Sequence, residues 1–344
     1  MKHRHIGSTS NWLGSFVACL LLCTVFAIAA LPSRGVAQDL SFGRFNHAAW
    51  TAKDGAPADA WAIAQTPDGW LWFGAPTGLY RFDGIQFEHV ELEGLDPRRP
   101  KAISLLYASD TGALWIGYVH SGASLLKDGK FTHFGEAEGL GRGTVLWLAE
   151  DRRGGTWLSS GNGFWHYDGQ QWTQVGSSWG FPESSATALS VDQRGTLWAA
   201  GQHEIFFLES ESQRFQPAGI SVEGIDSVGL IESPDGRTWY TDEAGIHALP
   251  AQSARSPRAA VSNSRSSLTE LIDRSGNVWL VSSGTGVQRL PFELSRGALR
   301  YEDHPQAVRF TAKDGLTDSI AKTILEDREG NIWVTTGGGV ELTA

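Results

Sequence analysis

Two short stretches hold the residue types that acid–base chemistry needs. "GQHEI" contains His203 and Glu204, and "YTDEAGIH" contains Asp242, Glu243 and His247. A lyase would place a histidine and a carboxylate so that they converge as base and partner, usually around a metal. Successive residues of a strand point to opposite faces, so adjacency in sequence does not make His203 and Glu204 a working pair. Beyond residue 37 the histidines show no HxH or HExxH spacing. No Gly-rich nucleotide box or histidine-centred phosphorylation helix occurs either. The residues point away from catalysis, and no catalytic set, metal or cofactor is expected.

The two cysteines, Cys19 and Cys23, lie in an opening segment that reads as a targeting signal. Lys2, His3, Arg4 and His5 make a basic start, an uncharged apolar run extends from Trp12 to Leu31, and "RGVAQ" supplies a small-residue exit. Residues 1–37 are therefore expected to be a signal peptide directing export, with an uncleaved anchor as the alternative and the sole route to the membrane. The formal charge is −10, and this segment carries three basic groups and no acidic one, which leaves −13 for the remainder. Such a surface disfavours nucleic acid, whose phosphates need clustered cations.

The remaining chain repeats. Trp72, Trp115, Trp157, Trp198, Trp239, Trp279 and Trp333 recur at spacings of 43, 42, 41, 41, 40 and 54, the last stretched by an insertion near 293–305. Each unit has an apolar first strand such as "AWAIAQ", an Asp/Gly turn, the tryptophan strand, a small-residue turn, a third strand such as "GLYRF" and a fourth such as "QFEHVE". Alternating apolar residues between Asp-Gly turns are hairpin signals, and four-strand units at this period indicate a propeller. Residues 38–344 are thus expected to form an all-β, seven-bladed β-propeller of four-stranded antiparallel blades. The tryptophans should pack against the next blade, where aromatic burial contributes most. The stretch at 253–267 is low in complexity and reads as a loop.

In such a meander the turns between strands one–two and three–four share one face, and here they are tight. Strand two–three turns and inter-blade loops share the other face and carry the unusual residues, which makes it the expected ligand face. Inter-blade loops contribute Arg98, Arg99, Lys101, Arg142 and Trp179. Strand two–three turns contribute His120, Asn162, His203, Glu204, Asp242 and Glu243. Arginines, amides and an exposed aromatic suit a polyhydroxylated or anionic ligand through paired hydrogen bonds and stacking.

The unit "DGWLWFGAPTGLYRFDGIQF", and "TAKDGLTDSIAKTILEDREGNIWVTT" near the end, resemble the two-component regulator propeller family. The resemblance runs through residues 41–342, is strong in units one, two and seven, and weakens in four and five. It implies the periplasmic sensor propeller of hybrid histidine kinases, binding a small extracellular ligand such as a carbohydrate. The family's three-tyrosine domain and kinase are not found in this sequence, so a membrane histidine kinase would be a partner or part of a longer protein. A propeller lyase resembling the streptogramin-inactivating enzymes is one alternative, and a protein–protein scaffold is another.

"WTAKDG" at 50–55 returns as "FTAKDG" at 310–315. The first copy follows a fourth strand with no blade before it, and the last unit stops after its third strand. Residues 42–50 are therefore expected to supply the outer strand of the blade containing Trp333, closing the ring and removing two open sheet edges.

Overall fold

A computed structural model describes residues 47–343 except 223–227, 243–244, 250–268, 283, 293–303 and 305. The expected signal peptide, Glu243, the 253–267 loop and most of the 293–305 insertion lie outside the described residues. The chain enters on β1 (His47–Thr51) and builds blade one from β2 (Ala62–Gln65), β3 (Leu71–Ala75), β4 (Gly78–Phe82) and β5 (Phe87–Val90). Blade two is β6 (Ile103–Ala108), β7 (Leu114–Tyr118), β8 (Ala123–Lys127) and β9 (Lys130–Phe134). Blade three is β10 (Val145–Glu150), β11 (Thr156–Ser160), β12 (Gly163–Tyr167) and β13 (Trp172–Val175). Blade four is β14 (Ala188–Val191), β15 (Leu197–Ala200), β16 (Glu204–Leu208) and β17 (Gln216–Ser221).

Blade five shows three strands among the described residues, β18 (Gly229–Glu232), β19 (Thr238–Asp242) and β20 (Gly245–Ala248). Blade six is β21 (Glu270–Ile272), β22 (Asn277–Ser282), β23 (Gly286–Pro291) and β24 (Val308–Phe310). Blade seven has β25 (Ala321–Glu326), β26 (Ile332–Thr336) and β27 (Gly339–Thr343) from the end of the chain, and β1 from its start. The structure is thus a seven-bladed β-propeller of antiparallel meanders. Neighbouring innermost strands touch all the way round, from β2 through β6, β10, β14, β18, β21 and β25 back to β2.

Closure follows the expected rule, with the strand described over His47–Thr51 and residues 42–46 outside the described part. β1 pairs antiparallel with β27, from His47 opposite Thr343 to Thr51 opposite Gly339. Trp50 stacks on Trp333 at 5.6 Å and meets Phe82 and Phe87 of blade one edge-on. His47 Nε2 lies 2.9 Å from Glu341 Oε2. Each copy of "TAKDG" is one turn of 3-10 helix, Ala52–Asp54 and Ala312–Asp314, that carries the chain into the next blade. In both, the threonine hydroxyl caps the backbone while the Asp carboxylate accepts the threonine N–H at 2.9 Å. The final glycine then takes a left-handed conformation, φ 84° at Gly55 and 115° at Gly315, which a side chain would strain.

Second strands such as β3, β7, β11, β15 and β26 are buried at every position, because each blade is covered on both sides. The repeated tryptophan packs forward as expected: Trp72 joins Leu106 and Ile116 of blade two, and Trp333 joins Ile63 and Phe73 of blade one. Its indole N–H is also satisfied locally. Trp157, Trp198, Trp279 and Trp333 each donate Nε1–H to the turn aspartate six residues earlier, at 2.7–3.1 Å. Trp72 and Trp239 donate to Thr66 and Ser233 at the same offset. Trp115 instead reaches Glu150 of the next blade at 3.0 Å.

Blades are also joined where the innermost strands end. Gln65 accepts the Arg328 N–H at 2.8 Å and donates to Glu329, linking blade one to blade seven. Glu326 accepts the Arg274 N–H, linking seven to six.

Candidate functional site

The sequence-derived candidates fall into separate groups. His120, Arg142 and Asn162 meet around one inter-blade segment, 142–144. His120, at φ 59°, sets Nδ1 3.4 Å from the Thr144 hydroxyl. Gly161 N–H, beside Asn162, donates to Thr144 O at 3.1 Å, while Arg142 pairs with Glu136 at 2.8 Å on the exposed surface. Arg98 is bound by its own turn, with Nη2 2.7 Å from Asp96 Oδ2, which holds that carboxyl down at about 2. Lys101 lies 3.8 Å from Glu91.

In blade four, Glu183 from the inter-blade loop accepts the backbone N–H of Gln202 at 2.5 Å and of His203 at 3.1 Å. This carboxylate was not singled out by residue type, and it is what shapes the His203–Glu204 turn. Asp242 is engaged with His247 Nε2 at 2.9 Å, whose ring stacks on Tyr240.

Arg99 leans on Gly135 across blade two and lies near a buried relay. Tyr118 hydroxyl is 2.8 Å from Ser124 Oγ, which is 2.6 Å from His133 Nδ1. His133 Nε2 is 2.8 Å from the Glu93 carbonyl, which only accepts. With Nε2 donating, Nδ1 of an uncharged ring accepts from Ser124, and Ser124 accepts from Tyr118. Burial pushes the Tyr118 phenol up to about 12, so it stays a donor.

Trp179 departs from the expected ligand face. It ends the 3-10 turn Ser177–Trp179, the counterpart of the "TAKDG" turns, and occupies the position of Asp54, Glu138 and Asp314 before a left-handed glycine. Those acids accept the backbone N–H that opens their turns, at 2.9, 2.7 and 2.9 Å. An indole cannot accept such a bond, and the turn of Trp179 has no side-chain cap. Its ring instead stands edge-on to Trp157 at 5.7 Å and lies 5.5 Å from His166.

These rings wall a cavity of about 490 Å³ between blades three and four. Its rim comes from the strand one–two and three–four turns, which the sequence marked only as tight turns. Arg152, Arg153 and Asp168 enter from blade three, and Glu209 and Ser210 from blade four. The blade-four part belongs to residues 209–215, which join β16 to β17 and are longer than the four residues joining β12 to β13. His166 is half-buried beside Trp157 at 4.3 Å, and burial pushes its imidazole below the usual range. Asp168 Oδ1 accepts the N–H groups of Gln170 and Gln171 at 2.8 Å each, led by the Gln171 bond in holding its carboxyl low. Among the described residues no group of three or more His, Cys, Asp or Glu side chains could hold a metal ion.

Blade number, strand order and the repeated turn define a β-propeller with one unit grammar. The start of blade seven, residues 315–338, matches the family model described as two component regulator propeller, in agreement with the resemblance read from the residues. No curated protein sequence matches the chain. The extracellular domain of BT3049 from B. thetaiotaomicron, assigned as a hybrid two component system, superposes with a TM-score of 0.64 at 16% identity, over 87% of this chain and 42% of that one. The extracellular domain of BT4673 from the same organism gives 0.62 at 18% identity, over 87% and 39%. This chain therefore spans about two fifths of the length of those two domains. Virginiamycin B lyase from Staphylococcus aureus gives 0.59 at 12% identity, over 87% of this chain and 98% of the lyase. At these identities the likeness carries the fold, and function has to be argued from the site.

Proposed function

We propose that the chain is an exported sensor propeller of a bacterial two-component system. It binds a small extracellular ligand and passes that event to a kinase output in a longer or partner protein. The observation that carries this reading is the two component regulator propeller match at residues 315–338. Its support comes from the extracellular propellers of BT3049 and BT4673, which share the fold. The apolar N-terminal segment read from the sequence supplies the route of export. Among the described residues, no helix is long and apolar enough to cross a membrane.

The deciding experiment is affinity capture of the full chain from membranes of its own host, followed by autophosphorylation of whatever co-purifies. A histidine kinase whose activity depends on the captured chain is the expected outcome. Capture without any kinase would sink the relay.

A lyase reading is favoured only by the superposition on nearly the whole of virginiamycin B lyase. Opening of a streptogramin B lactone by the purified chain, lost in His203→Ala or Glu204→Gln, would replace the sensor reading.

A further inference from the structure

We propose that the cavity between blades three and four binds a neutral saccharide, with Trp179 as its stacking platform and His166 and Asp168 as its hydrogen-bonding groups. The biological purpose of such binding rests on the sensor reading, whereas the site is argued from its walls.

At about 490 Å³ the space is within the range of small-molecule sites. Trp179 is held by packing against Trp157 and His166, so its ring is ordered before anything binds. The C–H face of a sugar ring stacks on such an indole. His166 makes no hydrogen bond to any described residue, and an uncharged imidazole offers one donor and one acceptor. Asp168 is anchored through Oδ1, and its carboxylate stands at the rim of the same cavity.

Charge chooses among ligand classes. Asp151 is already committed to the Trp157 indole and to the N–H groups of Arg153 and Gly155. That leaves Arg152 and Arg153 facing Asp168 and Glu209, two charges of each sign. A strongly anionic or cationic ligand meets opposition from one pair. Hydroxyl groups, which both donate and accept, can use all four. The position in the fold adds a second, independent reason. Trp179 stands where equivalent turns carry a capping acid, so the local cap has been given up and an aromatic face placed at the cavity. Departures of this kind from local rules concentrate at functional sites.

Isothermal titration and tryptophan fluorescence on the full chain provide the test. The probes are methyl β-D-glucopyranoside, methyl α-D-mannopyranoside, maltose and cellobiose, with D-glucuronate and choline as charged controls. A neutral probe should bind. Trp179→Ala should weaken it by about tenfold, the scale of one aromatic contact. Ser210→Trp should block it by filling the cavity, and it decides the matter if Trp179→Ala does not fold. Lys130→Ala, on the exposed start of β9 in blade two, should change nothing.

The proposal is overturned if no neutral probe binds, if glucuronate or choline binds better, or if binding survives Ser210→Trp. Loss of saccharide binding in Arg142→Ala, with Trp179→Ala unaffected, overturns this cavity yet leaves the sensor reading standing. Failure of kinase capture removes the sensor reading without touching the titration.

Discussion

Asp327 illustrates how much one turn residue holds. Its Oδ2 accepts the Trp333 indole N–H and the Asn331 amide at 2.8 Å each, and its Oδ1 accepts the Asn331 backbone N–H at 2.7 Å. Asp327→Ala should strand the buried indole N–H and lower stability by about 3 kcal/mol, read from urea unfolding. An equal midpoint for mutant and parent would show that the offset of six between acid and tryptophan is incidental. Glu270 gives a pH-dependent counterpart. Burial raises its folded pKa against the weaker pull of the Thr241 hydroxyl. The folded state thus holds this proton more tightly than the unfolded state. The resulting stability is complete below the unfolded pKa of about 4.3 and is lost as pH rises through the folded value. Glu270→Gln should therefore flatten the fall in melting temperature with rising pH, leaving the variant more stable than the parent at neutral pH.

At the element scale, the closing strand is the most exacting part. β1 adds a fourth strand to β27, and Trp50 seats against Trp333. Trp50→Ala should cost on the order of 3 kcal/mol, measured by denaturant titration. Gly339 lies opposite Thr51, and a Cβ there would run into the Trp50 carbonyl. Gly339→Ala should therefore loosen the same joint, by roughly 1–3 kcal/mol, with faster amide exchange in residues 47–51 as its local signature. Exchange unchanged in that strand would disconnect the glycine from closure.

Much of this element-level architecture was readable because it repeats: seven tryptophans, their Asp/Gly turns and the doubled "TAKDG" fix blade number and closure. Contacts between units were less accessible. Nothing in the types of Glu183 or Gln65 shows that one organises the His203 turn or that the other fastens blade one to blade seven. Trp179 was visible as an unusual residue. Its placement follows from the turn grammar only once "SSWG" is set against "AKDG", which shows an indole in the position of the capping acid.

The described blades form a ring in which every blade is covered by two others. Its blades have no outer face on which to unfold alone while the ring stays shut. Far-ultraviolet ellipticity and tryptophan fluorescence should accordingly report one coincident unfolding transition in the parent. Removing residues 47–51 exposes the edge of β27 and should separate the two probes, as blade seven loosens before the rest. Coincident curves in the shortened chain would mean that the last blade does not depend on its borrowed strand.

The pairing of β1 with β27 also sets an order in time. His47 and Glu341 meet although 294 positions separate them. β1 is synthesised long before β27 and must wait for it before either edge has its partner. Until then, six blades' worth of sheet can gather around a strand that has nowhere to go. Such distant pairing makes the final step slow. The ring therefore cannot lock until the residues of β27 have been made, however early β1 is ready.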